Sequence, residues 1–285
     1  MGEPKSKGLF RRILKMEFVS RVKISKQLND YNMLIEELIE LGTEVVTIKG
    51  KSNAPINLVV AGLFLKRILK DMRCIRELLE MGYSAQAACI AASLFENSLV
   101  IIISARDVER AKLVWESKGD SEKDIPWKVI KMCEMSALRD SVNLDSDRLR
   151  YKTLCDYISY KWLCRLKHPT LASAFHDASS TRINEDSYSV LPIPDSREED
   201  LSHKVMIAEI CITKLFFAIK EIADALDIKV LSEENPQAKV WMEAMITFHE
   251  KWSALSHKQN IEMQFSIKGT ELHREWEDLR KKLEK

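Results

Sequence analysis

The stretch SAQAACIAASLFENSLVIIISA, residues 84 to 105, constrains the chain more than any other. It is apolar nearly all round, and a helix without a polar face has to be enclosed by other helices or by lipid. Lipid is the poorer host. The longest strongly apolar run, Leu99 to Ile103, is only five residues, and placing Glu96 at a bilayer centre would cost ~2.5–3.5 kcal/mol. The segment is therefore expected to be the central helix of a bundle.

The flanking sequence supplies helices to wrap it. In residues 56 to 81, Leu65, Leu69, Met72, Ile75 and Leu79 recur on one face, with Lys66, Lys70, Arg73, Glu77 and Glu80 mostly away from it. Residues 9 to 41 read as helix ending at Gly42. The connector TEVVTIKGKSNAP has room for a short strand, for which EMQFSIKG near the C-terminus is the candidate partner. Prolines fall at helix starts, ends or loops, with Pro126 and Pro236 at first-turn positions. About eight helices and at most a short two-stranded element result, so the fold class is all-α. Residues 1–50 form N-terminal amphipathic helices and residues 55–180 the core bundle with the candidate site. A polar loop spans 181–200, and residues 201–285 form C-terminal helices packing on the same core.

Charge and cysteine usage narrow the partners. Charged residues make up 31% of the chain, yet the net charge is +1. No whole-chain excess draws the protein to nucleic acid or to an anionic bilayer, so no membrane partner is expected and an RNA partner needs a local patch. One basic patch exists: Lys5, Lys7, Arg11, Arg12, Lys15, Arg21, Lys23 and Lys26 stand against Glu3 and Glu17. It reads first as a solvated helix face and second as a surface for RNA or an acidic partner. The six cysteines form no C-x-x-C pair, which fits buried free thiols in a reducing, cytoplasmic setting. No cofactor is expected, since eight glycines leave no glycine-rich phosphate loop. No metal is expected either, because HEKWS, residues 249–253, has Ser253 where a second zinc ligand would stand. His249 and His257 with Trp252 are pocket candidates, but tryptophan at helical spacing is more often core.

Chemistry concentrates on two helices. In SLFENS, residues 93–98, Glu96 and Asn97 interrupt an oily surface. A buried carboxylate needs a partner or stays protonated. In YISYKWLCRLKHPT, residues 157–170, Tyr160, Cys164 and His168 share an i, i+4, i+8 ridge, and Pro169 pushes His168 out of helical geometry. Two readings stay open: a pocket doing acid–base work or gripping a polar ligand, and a polar clasp tying two core helices together.

The segment RCIRELLEMGYSAQAACIAASLFENSLVIIISARDVERAKLVWESKG, followed by YKWLCRLKHPT, resembles a widespread family of bacterial helical domains with the elements RSLFE and Y-x2-LS-x3-HPT. That family is in turn similar to HEPN domains, the helical modules of many toxin and antiphage systems. The resemblance covers about residues 60 to 180 and implies a HEPN-like core. It lands on Glu96, Tyr160, His168, Pro169 and Thr170, with Glu96, Tyr160 and His168 as catalytic candidates and Thr170 beside a substrate. Asn97 next to Glu96, and Arg73, Arg76 or Arg165 as a basic member supplied from elsewhere, complete the substrate-binding candidates. Ala92 stands where the family often has arginine. HEPN ribonucleases carry an R-x4–6-H motif, and the literal match here is REEDLSH, making Arg197 and His203 the alternative catalytic pair. The implied function is an RNA- or nucleotide-binding protein of a prokaryotic defence or stress system, and, if an enzyme, a metal-independent ribonuclease. The alternatives are a non-enzymatic module that binds an operon partner or a second copy, and a small-molecule sensor with a pocket between helices 84–105 and 145–168.

Overall fold

The structure, a computed structural model, describes residues 6–48, 54–117, 125–139, 144–167, 174, 178, 181–184, 187–188, 192–197, 200–259 and 270–284. The fold is all-α. In chain order the elements are α1 (Ser6–Gln27), α2 (Asn29–Ile48), α3 (Ile56–Met81), α4 (Ser84–Ser104), α5 (Val108–Glu116), α6 (Val129–Arg139) and α7 (Ser146–Lys167). A hairpin of β1 (Arg182–Asn184) and β2 (Ser187–Tyr188) follows, then α8 (Leu201–Ala225), α9 (Ile228–Leu231), α10 (Pro236–Gln259) and α11 (Glu271–Leu283). The antiparallel hairpin is the one two-stranded element among the described residues.

The apolar helix is central, as its pattern requires. α4 packs against α3, α8, α7 and α6, and Ala87, Ala91, Leu94, Phe95, Leu99, Ile101 and Ile103 on different sides of it are fully buried. By length and composition alone α4 could cross a membrane, but most of its apolar window is buried in the bundle. Each large apolar side chain buried here stabilises the fold by roughly 1.5–3 kcal/mol. α11 sits apart from this core. Its Leu272, Trp276 and Leu279 close over Leu154 and Ile158 of α7 as a separate small cluster.

A buried helix leaves backbone groups at both ends that water cannot satisfy. At the C-terminal end of α4, Arg139 of α6 donates to the Ile102 carbonyl at 2.7 Å and Asn57 of α3 donates to the Ala105 carbonyl at 2.5 Å. At the N-terminal end, Ser84 donates its hydroxyl to Asp200 at 2.5 Å. That places a carboxylate beside the positive end of the helix dipole. α3 hands over to α4 through Gly82, whose φ of 89° closes the helix in the left-handed region. Its amide donates to the Leu79 carbonyl.

Two expectations are corrected in the N-terminal third. The helix expected over residues 9–41 is two helices with a turn at Leu28. The second does not stop at Gly42. Leu34, Leu38, Leu41, Val45 and Ile48 keep a helical apolar spacing through the glycine and are all buried, so TEVVTI is helix rather than strand. Gly42 serves close packing: a Cβ there would stand 2.9 Å from side-chain atoms of both Leu69 and Ile219. EMQFSIKG, the expected partner strand, lies outside the described residues. Pro126 precedes α6 instead of opening it. Pro236 is the first residue of α10, and Asn235 caps that helix by accepting from the Gln237 amide at 2.9 Å.

Candidate functional site

Midway along α4 and facing α7, the Tyr160 hydroxyl donates to Glu96 Oε1 at 2.5 Å. That is the short range of a hydrogen bond to a carboxylate. Burial, with hydrogen bonds to Cys164 and Glu96, pushes the Tyr160 hydroxyl well above the usual phenol range. The phenol therefore stays protonated across ordinary pH and acts as a donor, not as a base. Its ring lies 5.6 Å from that of Phe95 and 6.3 Å from that of Tyr157, centroid to centroid.

The polar seam continues along α7. One turn before Tyr160, Asp156 accepts from Lys214 of α8 at 2.6 Å, and Lys214 is almost wholly buried. The same ammonium stands 4.8 Å from the centre of the Phe95 ring, close enough for a cation–π attraction. Asp156, Tyr160 and Cys164 thus form one i, i+4, i+8 ridge, and α4 and α8 meet it with Glu96, Phe95 and Lys214. Behind the ion pair, burial and the Asp156 charge push the Cys133 thiol up to about 12.

The other expected residues do not gather on Glu96. Asn97 is buried and donates within α4, to Ser93 Oγ at 3.2 Å. Arg76 is bound at 2.8 Å by Glu36 and at 3.5 Å by Glu80, between α2 and α3. Arg73 is exposed on α3. Arg165 is exposed on α7, five residues and therefore about 140° round the helix from Tyr160. Among the described residues no ion pair joins any of these arginines to Glu96. His168, Pro169 and Thr170 lie outside the described residues.

Arg197 and His203 are held by different acids. The Arg197 guanidinium donates two bonds to Asp195, at 2.9 and 2.6 Å. His203 Nδ1 stands 3.4 Å from Asp200 Oδ1, and its ring stacks on Trp162 at 5.9 Å. Asp200 also receives Lys204, whose ammonium reaches the Asp195 carbonyl at 3.0 Å. Asp200 and Lys204 are each 1% exposed. Asp195 thus holds Arg197, while His203 lies beside Asp200 and against Trp162.

Sequence reasoning missed Asp156, Lys214, Asp195, Asp200 and Lys204. A signal existed for the two lysines: each stands within the apolar stripe of α8, where an unpaired ammonium would be costly. Among the described residues no group of three or more His, Cys, Asp or Glu side chains is placed to hold a metal ion.

Two grooves among the described residues lie away from Glu96 and Tyr160. The larger, of about 350 Å³, lies between α8, α9 and α10 and is lined by Phe216, Trp241, Met245 and His249, with Lys220 and Lys229 also on its wall. Trp252 packs edge-on to His249 at 5.8 Å.

No protein-family model matches the chain, and no curated protein or solved structure matches it either. Its class rests on the helices themselves: an all-α bundle built round one buried apolar helix.

Proposed function

We propose that the chain is a non-enzymatic interaction module of HEPN-like helical architecture, in which Glu96 and Tyr160 clasp α4 to α7. The observation that carries this reading is the 2.5 Å bond from Tyr160 to Glu96. It engages one carboxylate oxygen with a phenol that burial keeps protonated, so Tyr160 serves Glu96 as a donor and is not itself a base. The arginines that would steady a phosphate are engaged elsewhere or turned outward, and a net charge of +1 gives no general pull on RNA. A protein partner from the same operon, or a second copy, is the partner class this reading favours.

A second reading keeps ribonuclease chemistry at Glu96, Tyr160 and His168 in a cytoplasmic defence or stress system. Its support is that two of those three side chains meet across the bundle.

One experiment separates them. Purified protein, Tyr160→Phe and His168→Ala are incubated with total RNA while binding, cleavage and thermal melting are followed. The clasp predicts no cleavage by any of the three, and a loss of ~1–3 kcal/mol of stability in Tyr160→Phe. Cleavage by the parent protein that His168→Ala abolishes would replace the first reading with the second. A strictly monomeric mass with no co-purifying partner would count against an interaction module.

A further inference from the structure

We propose that α1 is a membrane-surface helix that docks the protein on anionic lipid. The inference is independent of the Glu96–Tyr160 seam and rests on the outer face of one helix.

Among the described residues, the large apolar side chains left in solvent concentrate on α1: Leu9, Phe10, Leu14, Met16, Phe18, Val19 and Val22 are seven of the seventeen. Four of them form a stripe. Phe10, Leu14, Phe18 and Val22 recur every four residues and are 63%, 47%, 69% and 60% exposed, over about 18 Å of helix. Contiguous apolar surface of this kind marks an interaction site. Arg11 and Lys15 keep the same spacing one residue further on, so a basic row runs beside the apolar one. Arg12 and Lys26 are exposed as well.

The acidic side of the helix is turned inward. Glu17, the one acidic residue of α1, accepts from the Tyr83 hydroxyl at 2.5 Å. The same inner side is fixed by the Arg21–Glu77 ion pair and by Ile24, which enters the core. What faces solvent is an interleaved set of apolar and cationic side chains on a helix held firmly at its C-terminal half.

Charge complementarity selects the occupant. An anionic bilayer accepts the phenyl and aliphatic groups below its headgroups while arginine and lysine stay at the phosphate level. A second copy fits less well, because a two-fold contact would set Arg11, Arg12 and Lys15 against their own copies with no exposed acid on α1 to offset them. Single-stranded RNA would use the cations but not the stripe. Phe10 and Phe18 stand about 12 Å apart, too far to stack adjacent bases, and Leu14 and Val22 have no π-face. The whole-chain charge that argued against a membrane partner does not describe this face.

The test is co-sedimentation of the full chain with phosphatidylcholine vesicles and with mixed phosphatidylcholine–phosphatidylserine vesicles. The parent protein is compared with Phe10→Ser/Phe18→Ser and with Arg11→Gln/Arg12→Gln/Lys15→Gln, each checked for unchanged melting. Binding is expected only to the vesicles containing phosphatidylserine, and it should weaken with salt. The aromatic variant should lose it, and the basic variant should weaken it about fivefold per charge removed. Absence of binding to either vesicle overturns the proposal, as does equal binding to both. A dimer that the Phe10→Ser/Phe18→Ser variant dissociates, without vesicle binding, assigns the face to a second copy. RNA binding that survives loss of both phenylalanines, without vesicle binding, assigns the basic row to RNA. Because no readout involves Tyr160 or His168, failure here leaves the clasp reading standing, and failure of the clasp leaves this one.

Discussion

Replacing Lys204 by methionine tests the strongest electrostatic claim made by the structure. Lys204 and Asp200 form an ion pair one helical turn apart, each 1% exposed. Removing one member of such a pair leaves the other charge buried, which costs roughly 3–5 kcal/mol. Here the lower end is expected, about 3 kcal/mol, because Ser84 still donates to Asp200 at 2.5 Å and His203 stands 3.4 Å away. The pH dependence carries the sharper signature. In the parent, burial pushes the Asp200 carboxyl up, but His203, Lys204 and Ser84 outweigh it and hold it below the usual range. The stability it contributes is therefore complete above the unfolded value near pH ~4 and is lost as pH falls through the folded one. Without the ammonium only His203 and Ser84 oppose burial, so the folded value rises from that of the parent. The deficit of Lys204→Met is therefore largest at neutral pH and shrinks on acidification, as Asp200 takes a proton. Urea unfolding followed by circular dichroism, at neutral and mildly acidic pH, measures both quantities. Adding Asp200→Asn to Lys204→Met should cost less than the sum of the single changes by ~2 kcal/mol, the coupling of a direct contact. A Lys204→Met deficit under ~1 kcal/mol, or one that grows with acidity, would refute a buried, charged pair.

Two further outcomes follow from packing and burial. Gly82→Ala forces a side chain into the left-handed region, φ 89°, with its Cβ 2.7 Å from the Asp195 carbonyl oxygen. The conformation alone costs ~1–2 kcal/mol, so a total above ~2 kcal/mol is expected in urea unfolding. Gly62→Ala, where nothing lies within 4 Å, should gain up to ~1 kcal/mol by helix propensity, and equal effects at the two sites would contradict the structure. Thiol alkylation read by mass spectrometry should label exposed Cys74 first. Cys133, its thiol pushed up to about 12 by burial and the Asp156 charge, should react only on unfolding, and equal native rates would show that the α6–α7–α8 interface is open.

How much of this was legible in the sequence depends on whether a feature is local. The burial of α4 followed from composition, since no other arrangement shelters an all-apolar helix without lipid. The stripe of α3 and the Asn235–Pro236 start of α10 are likewise local signals, and they mark real boundaries. Gly42 misled because glycine after an apolar run suggests a helix end, whereas here it admits Ile219 and Leu69 from neighbouring helices. The apolar spacing across it, Leu41, Val45 and Ile48, held the correction. The short strand expected at TEVVTI was a propensity reading that this tertiary periodicity overrode.

The site was legible on one helix at a time. Spacing on α7 set Tyr160 and Cys164 on one ridge, and the need of a buried carboxylate for a partner, reinforced by the family resemblance, suggested Glu96 across from it. The register between α4, α7 and α8 is a tertiary fact, so Lys214 and Asp156 went unnoticed although each left a trace. A lysine inside an apolar stripe needs a carboxylate, because its charge cannot be left alone in the core. Asp156 was available one turn below Tyr160 on a ridge already identified. Read that way, the seam is explained by the bundle's own requirements. α4 brings one acid to α7, α8 brings one cation, and α7 supplies the phenol and the carboxylate that satisfy them. The Tyr160 hydroxyl and the Lys214 ammonium are both engaged within the seam. For that reason the clasp is the better reading of Glu96 and Tyr160, and the outward-facing apolar and basic side chains of α1 are the better place to look for a partner.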